Sequence, residues 1–169
     1  MPGAAERRLP NLDIITEGKD LLQAAKHSAG RVTLQKGYEW TGEGQLLFFP
    51  ESGKEKGAYL ECQFNVGHKE LSQPTLRITQ SYDFEVYRIL LDGKEVRPVF
   101  NFYSPETTVS EISLGQMELE PGIHTLRFEY IGKSDISLDA GMGIDSFRLR
   151  KRWGIKRHEP KNFPPIQKK

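Results

Sequence analysis

Residues 118–150, ELEPGIHTLRFEYIGKSDISLDAGMGIDSFRLR, constrain the fold of this chain more than any other stretch. The segment opens on a Pro121-Gly122 turn and places Leu126, Phe128 and Tyr130 at every second position. It then crosses a polar loop and resumes at Ile144-Asp145-Ser146-Phe147-Arg148-Leu149. Side chains of an extended chain point alternately to its two faces, so this pattern predicts two half-buried antiparallel strands. Such strands bury their apolar face against a second layer.

The rest of the chain repeats the pattern at short intervals. Residues 59–66 alternate cleanly, with Leu60, Cys62, Phe64 and Val66 inward and Tyr59, Glu61, Gln63 and Asn65 outward. Pro50 stops the apolar run 45–49, and residues 67–74 read as loop before a strand over 75–80. Asp92-Gly93 is the strongest hairpin signal, because a type I′ turn needs two residues that accept positive φ. Residues 20–28, DLLQAAKHS, read either as two helical turns with Asp20 as N-cap and Gly30 as stop, or as irregular loop. Roughly nine to eleven short strands with almost no helix predict an all-β protein, a sandwich or barrel. There is no βαβ alternation and no repeat of solenoid or propeller type.

Charge divides the chain. Residues 148–169 carry nine Lys/Arg against one Glu, net +8, and the remaining residues are net −7. The expected organisation is a flexible arm over 1–11, one sandwich over 12–150, and a basic, Pro-containing extension over 151–169. No apolar run reaches the roughly 18 residues of a membrane span. The N-terminus lacks the apolar core of a secretion signal, so an extracellular or periplasmic place would imply a longer secreted parent, and the compartment stays open. The single cysteine, Cys62, excludes an internal disulfide and lies on the apolar parity as a small hydrophobe. His124 is read as outward and solvated.

The order of turns and strands resembles a known family. Glu17-Gly18 and Asp20-Leu21, Trp40 with Gly44-Gln45-Leu46-Leu47-Phe48, Tyr59-Leu60-Glu61, Leu91-Asp92-Gly93, Phe102-Tyr103-Ser104-Pro105, Pro121-Gly122-Ile123-His124 and Gly143-Ile144-Asp145 follow one another as in the galactose-binding-like jelly-roll modules. These include many carbohydrate-binding modules and accessory sandwiches of bacterial glycoside hydrolases and related surface enzymes. The resemblance covers roughly residues 14–150. It implies a two-sheet antiparallel jelly-roll β-sandwich without catalysis of its own, binding sugars or packing on a neighbouring domain. It also implies a structural calcium where the first and last strands meet, at the positions of Glu17 and Asp145. Lys19 stands where a second acid is usual, and its ammonium could replace the ion by pairing with both acids.

The motifs of hydrolases, zinc proteases and phosphate-binding loops are absent. The acid pair Asp83 and Glu85 is the nearest approach to glycosidase chemistry. A sugar presents an apolar face and a rim of hydroxyls, so its site pairs aromatic rings with hydrogen-bonding side chains. Tyr38, Trp40, Tyr82, Phe84 and Tyr103 supply rings at loops and strand ends, with Asp83, Asn101 and Glu39 as polar partners. Tyr82 and Phe84, at a turn, are expected to be the more exposed. The second lead is the tail, where Arg150, Arg152, Trp153, Lys156 and Arg157 form a docking segment for a partner protein. Nucleic acid fits less well, because the body is acidic.

Overall fold

The computed structural model describes residues 14–52, 56–132 and 139–151. Among them are twelve strands and one helix. The strands are β1 Ile14–Glu17, β2 Lys26–His27, β3 Gly30–Gln35, β4 Gln45–Pro50, β5 Tyr59–Val66, β6 Glu70–Gln80, β7 Val86–Leu91, β8 Lys94–Asn101, β9 Thr108–Ser113, β10 Met117–Leu119, β11 Gly122–Gly132 and β12 Met142–Lys151. Helix α1 spans Gly18–Gln23.

Two antiparallel sheets face each other. The first has the order β10-β6-β12-β4-β3, with β1 also on β12 and β9 also on β6, and the second runs β2-β5-β11-β7-β8. Between them lie Leu46, Phe48, Leu76, Ile78, Ile144 and Phe147 from the first sheet and Leu60, Cys62, Tyr87, Ile89, Leu126 and Phe128 from the second. Phe64 and Phe147 meet across the layers with ring centroids 4.6 Å apart. Each fully buried side chain of this size contributes roughly 1.5–3 kcal/mol by leaving water. The chain is the all-β sandwich that its alternation predicts, in the two antiparallel sheets that the resemblance to the jelly-roll modules implies. Burial pushes the Cys62 thiol up to about 12, which keeps it an inert core residue.

Four expectations need correction. Helix α1 begins two residues earlier than Asp20 and ends at Gln23, because Leu21 anchors it in the core. Lys26 and His27 must then extend to pair with Glu61 and Leu60. Strand β6 starts at Glu70 rather than Thr75, carrying Pro74 inside it. The Pro74 carbonyl accepts from Leu114 N at 2.8 Å, on the edge where β10 gives way to β9 along β6, so its missing N–H costs no ladder bond. Strand β12 starts at Met142 rather than Asp145, and its register with β6 shifts between Ile144 and Ser146. Ile144 and Phe147 both face the core across this bulge, which turns Asp145 to the outer face. The expected strand over 136–138 and the arm over 1–11 lie outside the described residues.

His124 is the fourth correction. It shares the parity of Leu126 and Phe128, is 8% exposed, and stacks on Phe64. Its Nδ1 lies 2.6 Å from Asp92 Oδ2 and its Nε2 lies 2.7 Å from the Glu120 carbonyl. Two acceptors on two ring nitrogens suit the imidazolium, which alone donates from both. Burial pulls the imidazole pKa down, but the Asp92 hydrogen bond, the Glu120 carbonyl and the two acidic charges outweigh it and leave it raised above 6.5. A raised folded pKa gives stability that is full below the unfolded value and is lost as pH rises through the folded value. The urea midpoint of the wild type minus that of His124→Gln is therefore expected to shrink from pH 6 toward pH 8. A difference that is flat or grows over this range overturns the assignment. The turn beside it is as expected, with Asp92 and Gly93 both at positive φ, 52° and 84°.

Candidate functional site

Residues 36–44, between β3 and β4, do not close a simple hairpin loop. They fold back as a strap over the outer face of the first sheet. Thr41 donates from its N and Oγ1 to the Asp145 carboxylate at 2.6 and 2.7 Å. Trp40 Nε1 donates to Thr79 Oγ1 on β6 at 2.8 Å, and Tyr38 Oη donates to the Thr107 carbonyl before β9 at 3.1 Å. The strap thus reaches from the β3 edge to the far side of the sheet. Gly42 holds its turn at φ 64°, and a Cβ there would run into the Glu17 carboxylate.

One side of the strap walls a cleft of about 280 Å³. Its floor is a hydrogen-bonded row on the outward parity of three strands. Trp40 donates to Thr79, Thr79 Oγ1 donates to Gln45 Oε1 at 2.7 Å, and Gln45 Nε2 donates to Gln35 Oε1 at 2.8 Å. The row fixes each side chain in one orientation, which is preorganisation before any ligand arrives. Tyr38 and Trp40 pack against each other, centroids 5.2 Å apart, and Tyr82 stands opposite as a half-exposed ring, 50% accessible. Asp83 joins the lining. Burial pushes its carboxyl up, and the Asp139 charge adds to this against hydrogen bonds from its own backbone and Ser81.

Three of the six sugar-site candidates line this cleft with their polar or apolar surface available: Trp40, Tyr82 and Asp83. Phe84 also borders it, but is 3% exposed and packs edge-on to Phe49 at 6.0 Å. The turn that carries Tyr82 outward must return the chain to the core, and Phe84 is the residue that returns. Asn101 and Tyr103 are not among the lining residues. Asn101 Oδ1 accepts from Tyr103 N at 2.8 Å, a local turn bond. Sequence reasoning missed Gln35, Gln45, Thr79 and Phe49. The one signal for them was a glutamine opening the apolar run of β4.

Of Glu17 and Asp145, the positions that the resemblance assigns to calcium, Asp145 is otherwise engaged. Asp145 is 0% exposed, and besides the two Thr41 donors it accepts from Arg77 Nε at 2.8 Å. Lys19 pairs with Glu43 at 3.1 Å rather than with Glu17 or Asp145. Among the described residues no group of three His, Cys, Asp or Glu gathers as a metal site. A guanidinium already neutralises the buried acid, so a divalent ion at Asp145 would meet that positive charge. Of the docking residues, Arg150 pairs with Gln73 in the β12–β6 ladder, and Arg152, Trp153, Lys156 and Arg157 lie outside the described residues. No helix among the described residues is long and apolar enough to cross a membrane.

No family model and no curated protein matches the chain. Solved structures resemble it. It is similar to a family 35 carbohydrate binding module from Clostridium thermocellum, at 20% identity over 83% of this chain and 98% of that one, with a TM-score of 0.54. It is similar to Paenibacillus xanthan lyase, at 19% identity over 85% of this chain and 13% of that one, with a TM-score of 0.67. A third likeness is to the GH26-CBM35 β-(1,4)-mannanase of Podospora anserina, at 17% identity over 90% of this chain and 29% of that one, with a TM-score of 0.55. Identities this low speak for the fold, and in the two enzymes the matched part is a fraction of the whole. The chain has the β-sandwich fold of the carbohydrate-binding modules.

Proposed function

We propose that this domain is a non-catalytic carbohydrate-binding module whose ligand lies in the cleft beside the strap. The observation that carries the reading is the pairing of a rigid polar floor, Thr79–Gln45–Gln35, with the rings of Tyr38, Trp40 and Tyr82 around it. A pyranose needs both kinds of surface at once, an apolar platform for its C–H face and fixed donors and acceptors for its hydroxyls. The fold shared with carbohydrate-binding modules supports the same reading. The acid pair Asp83 and Glu85 does not form a hydrolytic site, because Glu85 is fully buried whereas Asp83 lines the cleft, so the two acids do not flank a common bond.

A glycan array of plant, bacterial and host polysaccharides, run with calcium and with chelator, tests the reading directly. Binding to a defined glycan in both conditions is expected. The Tyr82→Ala variant is expected to lose about tenfold in affinity for that glycan, a contribution of roughly 1.4 kcal/mol, while its unfolding midpoint stays put because the ring is half in solvent. Silence across the array, or a Tyr82→Ala affinity equal to wild type, overturns the assignment of the cleft.

A further inference from the structure

The cleft has a neighbour. A second hollow of about 380 Å³ is lined by Gly30, Arg31, Pro50, Glu51, Ser52 and Asp139, and the ring of Phe49 lines both. Three contacts hold this ring. The Arg31 guanidinium lies 5.1 Å from its centroid, Phe84 meets it edge-on, and Gly141 backs it so closely that a Cβ there would overlap the ring. Phe49 is therefore a fixed divider between two hollows on one surface.

We infer that the two hollows take consecutive sugars of one neutral, linear glycan, with Phe49 between them, an inference that rests on the carbohydrate reading above. The divider offers apolar surface toward both sides, as two linked rings require. Arg31 brings five N–H donors in one planar fork and no acceptor, and Glu51 and Asp139 bring carboxylate oxygens, of which Asp139 Oδ1 also accepts from Ala140 N at 2.8 Å, so vicinal hydroxyls meet both kinds of group in the second hollow. Charge sets the class of glycan. Among the described residues the two linings hold Lys36 and Arg31 against Asp83, Glu51 and Asp139, one net negative charge. A uronate carboxylate would add a like charge beside acids that already repel one another at Asp83 and Asp139. Hydroxyls carry no such penalty.

The test is titration calorimetry on the whole chain with mannose, glucose and xylose and their β-1,4-linked di- to hexasaccharides, with oligogalacturonates as the charged comparison. For the series that binds, affinity is expected to rise about tenfold or more from mono- to trisaccharide, and Arg31→Ala is expected to flatten that rise by about the same factor. Val99→Ser, on the opposite face of the sandwich, serves as a control with unchanged binding. A trisaccharide no tighter than its monosaccharide, or an Arg31→Ala length dependence equal to wild type, overturns the two-hollow inference and leaves the carbohydrate reading standing. Tighter binding of oligogalacturonate than of every neutral series overturns the neutral class. Absence of binding at all lengths overturns the two-hollow inference, and silence across the glycan array as well overturns the carbohydrate reading with it.

Discussion

Arg77→Met is expected to cost the domain about 3–5 kcal/mol, because it leaves the charge of Asp145 buried and uncompensated. Asp145 is 0% exposed, and its carboxylate holds the strap through Thr41 while Arg77 neutralises it from β6 at 2.8 Å. Methionine preserves the length of the stem and deletes the guanidinium, so the loss reports the ion pair rather than packing. For a domain of this size the shift in melting temperature is roughly 6–20 °C. Arg77→Met combined with Asp145→Asn is expected to recover part of the loss, since the amide carries no charge to strand and can still accept from Thr41. The wild type is expected to melt at the same temperature in excess calcium and in chelator, with the guanidinium in the place of an ion. An Arg77→Met protein as stable as wild type, or a wild type that chelator destabilises, removes Arg77 from that role.

The elements legible in the sequence are those whose signal is local. Strand β5 alternates without a break, and the Asp92-Gly93 turn announces itself by residue type, so both were readable from a few residues. Asp145 shows where reading stops. The spacing of Ile144 to Phe147 is three rather than two, and that irregularity marks a bulge, but only pairing with β6 reveals that the extra residue aims a carboxylate at the strap. Pro74 was taken as a loop signal because proline lacks a donor, yet the edge beside it is where one neighbour strand replaces another. His124 was misread although its parity, shared with Leu126 and Phe128, places it inward. The cleft was half legible, because aromatic residues near turns stand out in a sequence. Its floor did not, since Gln35, Gln45 and Thr79 come together only when β3, β4 and β6 are laid in one sheet with β12 between them.

Trp40→Ala is expected to weaken glycan binding about thirtyfold or more, the effect of losing an aromatic hot spot of 2 kcal/mol or above. Two losses combine in this one substitution. The wall of the cleft disappears, and with it the ring that supports Tyr38 at 5.2 Å. Thr79 also loses the donor that aligns its hydroxyl toward Gln45, so the polar floor is freed to rotate before the ligand meets it. The first loss removes contact and the second removes preorganisation, and Trp40→Phe separates them by keeping a ring without its N–H. An intermediate affinity is expected for the phenylalanine variant, tenfold or so below wild type if the aligned floor matters as much as a charged or well-placed hydrogen bond usually does. Urea unfolding checks that the sandwich itself persists, since Trp40 lies on the outer face of the first sheet rather than among the core residues. Wild-type affinity in Trp40→Ala would show that the ligand does not use this cleft. Wild-type affinity in Trp40→Phe, with loss in Trp40→Ala, would show that the ring acts alone and that the row of hydrogen bonds beneath it serves the fold.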